Sequence, residues 1–229
     1  MTLFLLLVIC KYPQRYPSHM PPNYHRQKPI KDFMDRNHPV VRAYYDLMDN
    51  PPSAGEFKKA LRRLIEKDPF FFDPYLVLAE MLVEESKEQD AYELIRDAYN
   101  RVLEIITDES GNWPERIEWG WLENRHILRA ISHYAYLLWE EGKTTDALKL
   151  FRQLLKLNPN DNQGARCAIL ALRLGLGPEW QEEFRLTEGP TTYRALDALK
   201  VDDWFTRNAK KFPEEFDWLF KQWKESGLL

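Results

Sequence analysis

Two histidines, His126 and His133, stand seven residues apart in a stretch with helical spacing, which puts them on one side of a helix. A metal site there needs further ligands, and only Glu123 and Glu140 stand at usable positions. Adjacent carboxylates such as Glu84-Glu85 and Glu182-Glu183 diverge around a helix, as solvated faces do. The chain has no Gly-rich phosphate loop, no His-Glu-x-x-His, no Cys-x-x-Cys and no Gly-x-Ser-x-Gly. Packing or exposed histidines are therefore expected, with no catalytic residue, metal or cofactor; a hydrolase or metal protein hidden in the helices is the competing reading. Arg125 and Arg129 lie one helical turn apart beside Trp121 and Glu123. They read either as an ion-pair network supporting their segment or as part of a binding surface.

Composition narrows the elements that position these groups. The chain has 229 residues, 44% of them hydrophobic and 30% charged, which is the balance of a globular domain with a sizeable core. Few Val or Thr runs and nine glycines favour helix over strand. A net charge of −4 argues against general nucleic-acid binding. That charge is uneven: residues 11–42 hold seven Lys/Arg and two Asp, a surplus of five, leaving −9 on the rest. Cys10 and Cys167 lie in dissimilar surroundings, so no disulfide framework is expected and a reducing, cytoplasmic setting fits.

Residues 1–36 read as an apolar run, Leu3 to Cys10, followed by a basic leader rich in Pro and Tyr that is expected to be disordered. The run is too short to span a bilayer and has neither the basic start nor the small-residue site of a signal peptide. A membrane tether is the minor reading, and a functional start at Met20 or Met34 competes with it. Order is expected from Asn37 onward.

From there apolar residues recur at helical spacing. Val41, Tyr44, Tyr45 and Met48 mark a helix ended by Pro51-Pro52; a second, Glu56 to Lys67, stops at Pro69. Tyr75, Leu78, Ala79 and Leu82 begin a third, with Ala91, Ile95 and Ala98 on its partner. Tyr45 to Phe57, Ala79 to Ala91 and Ala135 to Ala147 are each twelve residues apart, and His38 to Phe72 is 34. The stretch Leu128 to Asp161 holds the best-formed pair, joined at Gly142 and stopped by Pro159. This order of large, small and aromatic residues resembles the tetratricopeptide repeat (TPR). Segments GWLENRHILRA (120–130) and LNPNDNQGAR (157–166) narrow the resemblance to a group of small, mostly bacterial TPR proteins with no assigned reaction.

The expected fold is thus all-α: a TPR-type right-handed solenoid of three to four helix pairs over 37–188. Its windows are 38–71, 72–105, 128–161 and a partial one at 162–188, with capping helices at 189–229. The insertion 106–127 is read as extending the first helix of the third window backwards by about three turns, through Ile117, Trp121 and Leu122. Asn162 is expected to cap the helix that follows.

In TPR arrays the first helix of each pair lines a concave face that holds partner peptides. The resemblance puts Leu76, Glu80 and Val83 there, with Arg129, Ser132, His133, Tyr136 and Trp139, then Gln163, Arg166, Leu170 and Arg173. The arginines around Tyr136 and Trp139 suit an acidic, partly hydrophobic segment of a partner protein. Leu76 and Glu80 stand where the chaperone-binding TPR domains carry clamp residues, so that activity is not expected. The implied function is a non-catalytic protein-interaction scaffold; the alternative is a membrane-attached assembly or secretion factor tethered by the apolar run.

Overall fold

The computed structural model describes residues 32–186 and 196–227. The apolar run, most of the Pro/Tyr-rich leader and Tyr193 lie outside the described residues. The described residues are mostly helical. A short strand β1 (Asp32–Phe33) precedes α1 (Val41–Asp49), α2 (Ala54–Lys67), α3 (Asp73–Glu84) and α4 (Glu88–Ile106). After strand β2 (Arg116–Ile117) and a 3-10 turn (Leu122–Asn124) come α5 (Arg125–Glu140), α6 (Thr144–Leu157) and α7 (Ala165–Arg173). A second 3-10 turn (Trp180–Phe184) leads to α8 (Ala198–Ala209) and α9 (Pro213–Glu225).

Helices α1 through α7 pack in chain order, joined by short connections except for residues 107–124 between α4 and α5. α3 also touches α5, its next but one. The small residues at twelve-residue spacing explain the close pairs: Ala79, Ala91, Ala135 and Ala147 are fully buried where α3 meets α4 and α5 meets α6.

The turns inside the hairpins repeat as well. Ser86, Gly142 and Gly175 each take a left-handed conformation at the end of α3, α5 and α7. The next amide then reaches back to a carbonyl five residues earlier: Lys87 to Leu82, Lys143 to Leu138, Leu176 to Ala171, all at 2.8–2.9 Å. This closing turn satisfies the last carbonyls of a helix, and its φ favours glycine. Ser86 adopts it without that advantage, at φ 58°.

Three sequence expectations need correction. Residues 106–127 do not lengthen α5. They contain β2 and the 3-10 turn, and Trp121 and Leu122 are 41% and 61% exposed rather than core. Order begins before Asn37, because β1 pairs in parallel with β2, Asp32 with Arg116 and Phe33 with Ile117. Finally, the cap of α7 is Asp161, whose carboxylate accepts from the amides of Ala165 (2.6 Å) and Arg166 (3.2 Å). Asn162 instead accepts a side-chain bond from Asn158.

The core runs continuously from Phe72 to Leu219, drawing Phe205, Phe216 and Leu219 of α8 and α9 onto α6 and α7. The C-terminal helices close the row by burying its last apolar face.

Candidate functional site

Helices α3 and α5 meet at one ion pair. Arg129, on α5, donates from Nε to Asp73 Oδ1 at 2.8 Å and from a terminal nitrogen to the other oxygen. Asp73 opens α3, where a carboxylate also meets the positive end of the helix dipole. Tyr45 of α1 lies within electrostatic reach of the pair, and its hydroxyl is raised above its ordinary pKa by burial and by Asp73, with Arg129 opposing. Trp119, from the segment before α5, lies under both Arg129 and Arg125, 5.7 and 5.2 Å from ring centre to guanidinium. Arg125 Nε also donates to the Trp119 carbonyl at 3.1 Å. So Arg125 and Arg129 form a network that supports their segment.

Helices α3 and α5 also carry buried polar atoms with no hydrogen-bond partner among the described residues. Glu80 of α3 has one sealed oxygen without a hydrogen bond, and burial, with Glu84 one turn on, pushes its carboxyl up to about 8. His133, one turn beyond Arg129, is 7% exposed; its Nδ1 has no partner, and burial pushes the ring down to about 4, so it is neutral. Glu140 has a sealed, unpartnered oxygen too, and burial lifts it to about 7 against the pull of Tyr92.

The other expected groove residues are placed differently. Trp139 and Leu170 are core, 3% and 0% exposed. Tyr136 is covered by the second 3-10 turn, with Gln181 donating to its hydroxyl at 2.7 Å. Arg166 pairs with Asp161 at 2.8 Å and Asp202 at 2.6 Å, between the rings of Phe205 and Trp223. Arg173 pairs with Glu214 and Glu215, and its guanidinium lies 4.7 Å from the Phe212 ring centre. An acidic, aromatic segment does sit on these arginines. It is the chain's own α8 and α9.

Sequence reasoning missed a second constellation. Asp35 Oδ2 lies 3.0 Å from His38 Nε2 and 2.9 Å from His126 Nε2, while His38 Nδ1 lies 2.8 Å from Asp68 Oδ2. All four side chains are at most 8% exposed. Asn124, fully buried, completes the attachment: its side chain accepts from the Asp35 amide and donates to the carbonyls of Phe33 and Glu118. The only sequence signal was His38 itself, which marked a helix start; Asp35 fell in the leader.

Asp35, His38 and His126 bring three ligand atoms within 4.8 Å of one another, the spacing of a metal site. The tautomers argue otherwise. The Phe72 amide, at the start of α3, donates to His126 Nδ1 at 3.2 Å. That lone pair is used, so a neutral His126 carries its proton on Nε2 and donates it to Asp35. Metal binding at Nε2 would turn Nδ1–H against the Phe72 N–H. The set is a hydrogen-bonded staple in which His38, between two carboxylates, is satisfied as an imidazolium; its pKa is raised by Asp35 and Asp68 against the opposing effect of burial. Asp35 is depressed well below the carboxylate range by His126 and His38, although burial opposes it.

No helix among the described residues is long and apolar enough to cross a membrane. Comparison of the chain with protein-family models, curated proteins and solved structures finds no match to any of the three.

Proposed function

We propose that this chain is a non-catalytic interaction scaffold whose helical hairpins are TPR-like repeats, and that a segment of a partner protein lies along the inner face formed by α1, α3 and α5. One observation carries the reading. The Arg129–Asp73 pair joins α5 to α3 with Tyr45 of α1 in its electrostatic reach, and His133, one turn beyond Arg129, keeps an unpartnered ring nitrogen. Buried polar groups without partners are uncommon unless water or a ligand meets them. The left-handed turns at Ser86 and Gly142 close the α3–α4 and α5–α6 hairpins in the same way, which is compatible with repeat architecture. Alternate helices on one side then leave a surface that the hairpin partners do not cover.

Replacing Tyr45, 51% exposed, by a benzophenone-bearing residue tests the assignment. Ultraviolet irradiation in cells is expected to attach a defined protein there, and none at the exposed Glu104 on α4. Equal labelling at both positions would remove the inner face as the binding surface.

A further inference from the structure

A cleft of about 770 Å³ opens where α5 packs between α4 and α6. Tyr99 of α4 and Tyr134 of α5 line it, their rings stacked with centres 4.1 Å apart and planes 16° from parallel. Lys149 and Gln153 of α6 form another wall, and Trp113 adds a third ring from the segment between α4 and β2. That segment is fixed by its own turn. The Asp108 carboxylate accepts from the amides of Ser110 and Asn112, both at 2.9 Å, and Gly111 is left-handed at φ 79°. Trp113 then packs against the main core. Burial, with Tyr134 beside it, pushes the Tyr99 hydroxyl up to about 12, so it keeps its proton as a donor. The cleft is thus a built trough of three aromatic rings with O–H and N–H donors at their edges. It draws on α4 and α6 and contains neither Tyr45, Asp73 nor Arg129.

We infer that this cleft is the docking site for a proline-rich segment of the same chain, PPNYHRQKPIK (21–31), which lies outside the described residues. Position is the first reason. The segment ends one residue before β1, which runs parallel to β2 with Asp32 beside Arg116. The same register carried back sets Lys31 level with Glu115, Ile30 with Pro114 and Pro29 with Trp113, a ring of the cleft. Pro29 and Pro114 have no amide hydrogen to continue the ladder, so side chains must hold the segment beyond it. Charge is the second reason. Residues 21–31 hold Arg26, Lys28 and Lys31 with no acid, whereas residues 108–118 hold four acids and one arginine. Chemistry is the third. A polyproline chain makes no internal hydrogen bonds, so its carbonyls are open to Tyr99 O–H and Trp113 Nε1–H while its rings lie on aromatic faces. Eleven residues at about 3.1 Å each reach roughly 34 Å, enough to cross three helices packed about 8–10 Å apart.

The test uses the purified full chain with a benzophenone-bearing residue in place of Lys149, which is exposed on the rim of the cleft. Irradiation followed by peptide mapping is expected to join position 149 to residues 21–31 of the same molecule. The same residue in place of Asp217, exposed on α9, is expected to join nothing in that segment. Two variants keep the result falsifiable without touching the core. Pro21→Ala, Pro22→Ala and Pro29→Ala together alter only the segment, and Glu115→Lys, at an exposed position, sets a like charge level with Lys31. Each is expected to lower the yield severalfold, the second less so in high salt. A mixture of light and heavy-isotope chains identifies the source, and products that mix isotopes would make the occupant a second copy and overturn the inference. Wild-type yields in both variants, products confined to other segments, or an equal yield from position 217 overturn it as well. Crosslinks from position 45 bear on the inner face alone, so the two assignments stand or fall separately.

Discussion

The two terminal segments of the described chain are tied to the helical row by ionic networks made from different bases. At the C-terminal end Glu215, 8% exposed, takes Arg152 from α6 and Arg173 from α7, and Glu214 takes a second nitrogen of Arg173. Arginine stays protonated under all ordinary conditions, and the two guanidiniums hold the Glu215 carboxyl below its usual value against the effect of burial. At the N-terminal end the corresponding base is His38, between Asp35 and Asp68. Its proton is conditional. One closure is therefore permanent while the other depends on pH.

The permanence of the C-terminal closure can be attacked most strongly through its apolar half. Phe216 is fully buried against Phe205, ring centres 5.1 Å apart. Phe216→Ala is expected to cost about 3–5 kcal/mol in denaturant unfolding, the range for truncating a core aromatic. A loss under about 1 kcal/mol would mean that α9 is a detachable flap, and the contrast between the two ends would break. Glu215→Gln comes next. It leaves two arginines competing for a neutral amide, and about 3 kcal/mol is expected, the low end for breaking a buried pair because Arg152 is part-exposed. That loss should be the same at pH 5.5 and pH 8.5.

The N-terminal staple should behave in the opposite way. A raised histidine pKa adds stability that is complete below the unfolded value of 6.5 and is lost as pH rises through the folded value. The depressed Asp35 adds stability present above its unfolded value of 3.8 and lost as pH falls below it. Protection is thus greatest between those limits. Hydrogen exchange at the Asp35 amide, which donates to Asn124, is expected to quicken from pH 6 to pH 8.5 beyond the ordinary base-catalysed rate. His38→Gln should cost about 1.5–3 kcal/mol at pH 6, as for hydrogen bonds to charged groups, and should abolish that extra pH dependence. Survival of the dependence in His38→Gln would move the switch to another group.

How much of this could be read in the chain follows from the range of each contact. The hairpins were legible because their determinants are periodic and local: Ala79 with Ala91, Ala135 with Ala147, and the prolines after α2 and α6. The fates of the arginines were not. Arg129 finds Asp73 56 residues away, and Arg152 finds Glu215 63 residues away. No periodicity joins such partners, so reading Arg166 and Arg173 as free for a partner left out the acids of α8 and α9. His126 was noticed with the wrong companion. His133 shares its helix face, but Asp35, 91 residues earlier, shares its hydrogen bond. The two-residue pairing of β1 with β2 is too short to leave an alternating pattern. The leader's composition gave no sign of the ordered contacts made by Asp32 to His38.

The smallest effect tests the comparison at its finest grain, because Arg166 holds two carboxylates of different kinds. Asp161 is 1% exposed at its side chain and caps α7 through two backbone amides, whereas the Asp202 side chain is 60% exposed where it pairs with Arg166. A solvated carboxylate keeps most of its hydration, so its attraction to Arg166 is offset by water and screened by ions. Asp202→Asn should therefore cost at most about 1 kcal/mol at low salt, and the difference from wild type should vanish near 1 M salt. Arg166 keeps Asp161 and the two rings of Phe205 and Trp223 in that variant, so the side chain stays where it is. A larger loss that persisted in salt would show that α8 is held to α7 by charge rather than by Phe205, and the C-terminal closure would then be as conditional as the N-terminal one.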